Sequence, residues 1–82
     1  MNTEAIKNVL AKHGRLSVDV STLDTKADLY ESGLSSLTTV NLMLALEDQF
    51  EIEFPEKLLS RKTFQSIESL DQAISEIKGL IQ

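Results

Sequence analysis

The chain has 82 residues, 13 acids against 8 lysines and arginines, one histidine and no cysteine. A disulfide framework and a thiolate nucleophile are therefore excluded, so any thiol the protein uses comes from outside the chain. The net charge of −5 disfavours nucleic acid and anionic membrane as partners. It suits either basic docking surfaces or plain solubility.

This length predicts one domain over residues 1–82, burying only about 60% of its unfolded surface or slightly more. A hydrophobic share of 41% without tryptophan suits a small helical bundle filled by Leu, Ile and Val. No apolar run approaches the roughly 18 residues of a membrane span, and the start lacks a signal-peptide core. The expected compartment is the cytoplasm.

Residues 3–13 read as a first helix. Thr3 is placed to cap it, Glu4 suits its first turn, and Ile6, Val9 and Leu10 recur at helical spacing. Gly14 supplies a stop. His13, near the helix end, has a structural rather than a catalytic reading.

From Arg15 to Ser35 no helical period persists. Loops longer than about 12–15 residues tend to be functional or packed by their own side chains. Leu16, Val18, Val20, Leu23, Leu29, Tyr30 and Leu34 are expected to pin this one across the bundle. Asp24, Lys26 and Asp28 do not make a calcium loop. The sixth position from Asp24 is Leu29 instead of glycine, and the twelfth is Ser35 instead of glutamate.

The stretch Glu31–Phe50 passes Gly33, turns through Ser35 and Ser36, and becomes a helix of about four turns. Leu42, Met43, Leu46 and Phe50 fall on one face, with Thr39 among them. Leu37, Val40 and Leu44 form a second apolar strip opposite, bordered by Asn41, Glu47 and Asp48. One apolar face is the norm, so the second must cover another element or serve a partner. Leu44 is expected to be partly covered, with Leu37 and Val40 more open. Ser36 sits beside this strip at the positive end of the helix dipole, where a phosphate is favoured.

Pro55 follows the helix, after an acidic group of Glu47, Asp48, Glu51 and Glu53. That group is either a solvated helix end or a contact for a basic partner. Residues 56–63 predict one or two helical turns, with Leu58 and Leu59 buried and Arg61 and Lys62 exposed. Ser66 then caps a last helix with Ile67, Leu70, Ile74 and Ile77 on one face. Gly79 ends the strong period, and Leu80 and Ile81 are expected to add contacts. The fold expected is therefore all-α: a four-helix bundle with a long first loop and a short third helix.

No cluster has metal-ligand spacing, no glycine-rich phosphate loop occurs, and the chain leaves little room for a closed pocket, so an enzyme is not expected. Most serines ahead of an apolar helix are only caps.

Gly33-Leu34-Ser35-Ser36-Leu37 does more. Together with Val40, Leu42, Ala45-Leu46-Glu47, Phe50 and Phe54-Pro55, it resembles the core of an acyl carrier protein. Asp28-Leu29-Tyr30 before Gly33 resembles that family's approach to its serine. The resemblance covers nearly the whole chain and implies a four-helix carrier bundle. It implies that Ser36 is esterified by 4′-phosphopantetheine from coenzyme A, whose thiol then holds a thioester-linked group. It further implies a phosphopantetheinyl transferase, a loading ligase and downstream transferases as partners of a monomeric carrier.

Three departures stand out from that family's pattern. Ser35 occupies the place of the usual aspartate, leaving two adjacent hydroxyls, of which family register favours Ser36. Arg61 and Lys62 lie where the family is more acidic. Thr38 and Asn41 are neutral at places often acidic there, so docking is expected to be more apolar. The candidate partner surface is Ser35, Leu37, Val40, Asn41, Leu44, Glu47 and Asp48.

The cargo expected first is an acyl group of fatty-acid, polyketide or related specialised biosynthesis. The alternative is an amino acid loaded by a dedicated ligase, as the Gly-Leu-Ser-Ser form resembles some stand-alone carriers. A reading of another class is a helical adaptor that binds through Leu37, Val40 and Leu44 and carries no arm.

Overall fold

The structure is a computed structural model that describes residues 3–14 and 16–80, excepting the side chain of Leu80. Among the described residues it is all-helical: α1 (Thr3–His13), α2 (Ser36–Phe50) and α3 (Ile67–Leu80), with 3-10 turns at Val20–Thr22 and Glu56–Leu58. The expected short third helix is thus a single 3-10 turn. Pro55 lacks an amide hydrogen, and the turn closes only through Leu58 and Leu59 amides donating to the Pro55 and Glu56 carbonyls. Three residues bury no side chain that would extend it.

The core follows the helical periods. Ile6 and Leu10 of α1, Leu42 and Leu46 of α2, and Ile67, Leu70 and Ile74 of α3 are fully buried. Each such side chain contributes about 1.5–3 kcal/mol through removal from water. α1 packs against both α2 and α3. Leu29 from the loop joins this centre, and the tilted rings of Phe54 and Phe64, 5.5 Å apart, fill one side.

The long loop is held by Val20, Leu29 and Leu34, with Leu16, Leu23 and Tyr30 partly buried against the core, whereas Val18, also expected to pin it, is exposed. The loop is also fastened by backbone bonds that no periodicity reveals. The Leu29 amide donates to the Gln65 carbonyl at 2.7 Å, and the Glu68 amide donates to the Thr25 carbonyl at 2.9 Å. Gly33 is required where it stands. Its φ is +117°, and a Cβ there would lie 2.9 Å from the Ser17 backbone nitrogen.

Several local expectations need correction. Thr3 is already helical instead of capping α1. Thr38, not Thr39, is buried on the inner face of α2, because its hydroxyl closes the helix start. Leu59 is exposed, since the 3-10 turn ends before it. Gly79 lies inside α3, which runs on to Leu80. The contacts expected of Leu80 and Ile81 lie outside the described residues and side chains. Ser66 does cap α3: its Oγ accepts from the Ser69 amide at 3.0 Å.

Candidate functional site

The start of α2 is built by a reciprocal cap. Ser35 has extended backbone geometry, and its Oγ accepts from the Thr38 amide at 3.2 Å. The Ser35 amide in return donates to Thr38 Oγ1 at 2.8 Å. A threonine hydroxyl thus does what Glu or Gln does in the usual capping box. The Ser35 carbonyl takes the Thr39 amide and the Thr39 hydroxyl, at 2.8 and 2.7 Å. Ser35 is therefore consumed in starting the helix.

Ser36 is the first helical residue and is exposed. Its hydroxyl makes no hydrogen bond with any described residue. The two hydroxyls that look equivalent in sequence are thus different in structure: one is a cap, the other is free and points its chemistry outward. Among the described residues no imidazole or carboxylate bonds to Ser36 to raise its nucleophilicity. His13, at the far end of α1, is exposed and has no part in this site.

The second strip of α2 remains uncovered. Leu37, Val40 and Leu44 are 73%, 50% and 54% exposed. Leu44 is therefore not the covered member: the loop residues that could have screened it, Leu29 and Leu34, turn into the core instead. Asn41 and Asp48 are exposed along the same helix. With Ser36 they leave an open apolar face next to the free hydroxyl.

Glu47 differs from its neighbours and has an internal task. Its Oε2 accepts the Phe54 amide at 2.8 Å, and its carbonyl takes the amides of Glu51 and Ile52. It ties the end of α2 to the segment entering the 3-10 turn. That employment was missed because the acidic group reads uniformly in sequence.

Beside Ser36 lies an open groove of about 410 Å³, lined also by Tyr30, Val40, Met43, Phe64 and Arg61. The Arg61 guanidinium carbon sits 4.1 Å from the centroid of the Tyr30 ring. This contact, too, was invisible to a reading by periodicity, because 31 positions separate the partners. Among the described residues no group of three or more His, Cys, Asp or Glu could hold a metal. No described helix is long and apolar enough to cross a membrane.

A free serine hydroxyl at a helix start, flanked by an uncovered apolar strip, suits a site decorated by another enzyme. Comparison with known proteins gives the family. Residues 4–74 match the family described as phosphopantetheine attachment site, and the chain belongs to it. It is a phosphopantetheine-dependent carrier protein, and its cofactor is covalently attached 4′-phosphopantetheine. The family is non-catalytic.

The chain is 47% identical over 72 residues to the aminoacyl carrier protein of Agrobacterium fabrum, spanning 88% of this chain and 87% of that one. It is 33% identical over 69 residues to aminoacyl carrier protein 1 of Bradyrhizobium diazoefficiens, spanning 84% and 72%. Among solved structures it superposes with TM-score 0.90 at 44% identity, over 94% of this chain and all of the other. That structure is an engineered Bradyrhizobium japonicum glycine:[carrier protein] ligase complexed with carrier protein from Agrobacterium tumefaciens and ATP. A second match, with TM-score 0.76 and 29% identity over 88% and 96%, is to the B. japonicum ligase complexed with glycylated carrier protein.

Proposed function

We propose that Ser36 is the residue carrying 4′-phosphopantetheine, and that the chain presents an amino acid on it to partner enzymes. The observation that carries the attachment point is the contrast between neighbours: Ser35 Oγ is engaged in the cap, and Ser36 Oγ is exposed and unbonded. The fit to the group is good at both ends. An exposed serine can be approached by a transferase, and the groove beside it has apolar walls and one cation.

In attachment, the Ser36 hydroxyl loses its proton to a base on the transferase, since the chain supplies none. Its Oγ bonds to the phosphorus of the pyrophosphate of coenzyme A. The nucleotide half leaves with the electron pair of the broken P–O bond. Once attached, the arm supplies a thiol that holds cargo as a thioester, chemistry that a chain without cysteine cannot supply. Tethering raises the local concentration of that cargo at each partner's active site.

The amino-acid cargo rests on the relatives. Two aminoacyl carrier proteins and carriers complexed with glycine:[carrier protein] ligase resemble this chain over most of its length. They favour this reading over the fatty-acyl or polyketide cargo expected first. Within this reading, Leu37, Val40, Asn41, Leu44 and Asp48 meet the loading ligase, whereas Glu47 serves the fold.

One experiment tests both halves. Apo protein is incubated with coenzyme A and a promiscuous phosphopantetheinyl transferase, and intact mass is measured. Wild type gains one arm and Ser36→Ala gains none. The loaded form is then given ATP, a glycine:[carrier protein] ligase and glycine, or a fatty acid with an acyl ligase. Thioester formation with the amino acid is expected. Arm attachment at another serine overturns the site, and acylation by fatty acid alone overturns the cargo.

A further inference from the structure

The groove beside Ser36 holds a single charged side chain, Arg61, and no carboxylate, in a protein with an excess of acids. Arg61 is exposed and makes no ion pair with a described residue. Its guanidinium carbon lies 4.1 Å from the centroid of the Tyr30 ring, a cation–π contact, and none of its N–H groups donates to a described residue. The Tyr30 ring packs against the core, and its backbone amide donates to Asp28 Oδ1 at 2.9 Å. A cation seated on an aromatic ring, with no anion among the described residues and on the same groove as Ser36, is the unexplained feature of this surface.

We propose that Arg61, seated on Tyr30, binds the phosphodiester of the arm on Ser36, and that the pantetheine then lies along the wall made by Met43 and Phe64. This rests on the attachment reading above and goes beyond it by naming how the chain holds its own arm. Charge decides the occupant. The phosphodiester carries one negative charge where the groove offers one unpaired guanidinium, the side chain whose fork geometry suits phosphate oxygens. Beyond the phosphate the arm is neutral, and so is the rest of the groove. Its volume of about 410 Å³ falls within the about 300–1,000 Å³ usual for small-molecule sites. The pair is exposed, so the arm docks reversibly and remains free to swing to a partner.

The test uses the full chain, isotopically labelled, before and after arm attachment. In the loaded form the Arg61 Nε–H resonance is expected to shift, and arm protons to show contacts with the Tyr30 and Phe64 rings. Arg61→Gln and Tyr30→Leu should both still load, as read by intact mass, and both lose those contacts. Arg61→Lys should keep a weaker shift of the arm phosphorus, and high salt should reduce it in wild type. A loaded wild type without the Arg61 shift, or contacts that survive Arg61→Gln, overturns the inference while leaving the attachment site intact. The same Arg61 shift in apo protein with free coenzyme A at equimolar concentration also overturns it, since tethering would then contribute nothing. Failure of wild type to gain mass removes the attachment reading itself, and this inference with it.

Discussion

Thr38 Oγ1 accepts from the Ser35 amide at 2.8 Å while Ser35 Oγ accepts from the Thr38 amide at 3.2 Å, so two residues close the start of α2 on each other. The same device recurs at Ser66 and Ser69, whose amides and hydroxyls bond reciprocally before α3. In both places a hydroxyl three residues on replaces the longer Glu or Gln side chain. At α2 it engages the Ser35 hydroxyl and leaves its neighbour Ser36 exposed, the contrast on which the proposed attachment site rests.

Ser35→Ala should therefore cost about 1 kcal/mol of stability and leave arm attachment in place. Ser36→Ala should change stability by less than about 0.5 kcal/mol and abolish attachment. Ser35→Asp, the residue usual in the family, should retain the cap and gain from its charge at the positive helix end. Urea melts and intact mass on the three variants check this. A destabilised Ser36→Ala beside a neutral Ser35→Ala would reverse the assignment of roles.

At the other end of α2, Glu51 has φ 54° and ψ 49°, the left-handed region that glycine adopts freely. That geometry costs an L residue about 1–2 kcal/mol, while glycine loosens the unfolded chain by about 0.4–1 kcal/mol. Glu51→Gly should thus stabilise by roughly 0.5–1 kcal/mol. It also removes an acid from a helix C-terminus, where negative charge is unfavourable. A rise of several degrees in Tm is expected by calorimetry.

Glu47 and Asp48 are neighbours with opposite assignments. Glu47→Ala leaves the Phe54 amide without its acceptor and should cost about 1–3 kcal/mol. Asp48→Ala, on an exposed side chain, should stay within about 0.5 kcal/mol of wild type. Chemical denaturation of the pair checks this; equal stabilities would mean that the Glu47 bond carries no net free energy.

Asp19 gives the one pH-linked expectation. Its carboxylate accepts from the Ser21 hydroxyl at 2.7 Å and the Ser21 amide at 3.0 Å, which hold its pKa below the ordinary 3.8. The hydroxyl is the larger cause. A folded value below the unfolded one means stability present above pH 3.8 and lost as pH falls through the folded value. Ser21→Ala should raise the Asp19 pKa towards 3.8, as followed by carboxyl resonances across the acid range.

What was legible in the sequence was what repeats. Ile6, Leu10, Ile67, Leu70 and Ile74 share helical spacing and are buried as that spacing demands. The second strip of α2 was legible for the same reason, as three apolar residues that the first face could not absorb. Bonds between distant residues were not legible. Nothing in the spacing of Glu47 and Phe54, or of Tyr30 and Arg61, distinguishes them from solvated neighbours. Thr38 and Thr39 were confused because a 100° step decides the inner face only once the helix start is known, and the cap sets that start. Of the one or two turns expected over residues 56–63 the structure forms one, of 3-10 type, because Pro55 and the bond geometry close no more than that.

The uncovered strip makes the sharpest prediction about partners. Leu37 is the most exposed of the large apolar residues named here, and Val40 and Leu44 extend its face along α2. A helix that leaves three such side chains in water gains by burying them in a partner, each by up to about 1.5–3 kcal/mol. Leu37→Ala and Val40→Ala should each weaken ligase binding about tenfold, equivalent to about 1.4 kcal/mol. Neither should lower Tm, because neither side chain supports the core. The contact being apolar, raising salt should change affinity little, whereas a strip flanked by working charges would show a steep loss. Titration calorimetry of loaded carrier with ligase, at low and high salt, measures the two affinity effects, and a thermal melt of each variant measures Tm. Binding that collapses with salt and ignores Leu37→Ala would move the interface from this strip to the acids around Asp48, since the two surfaces respond to opposite perturbations.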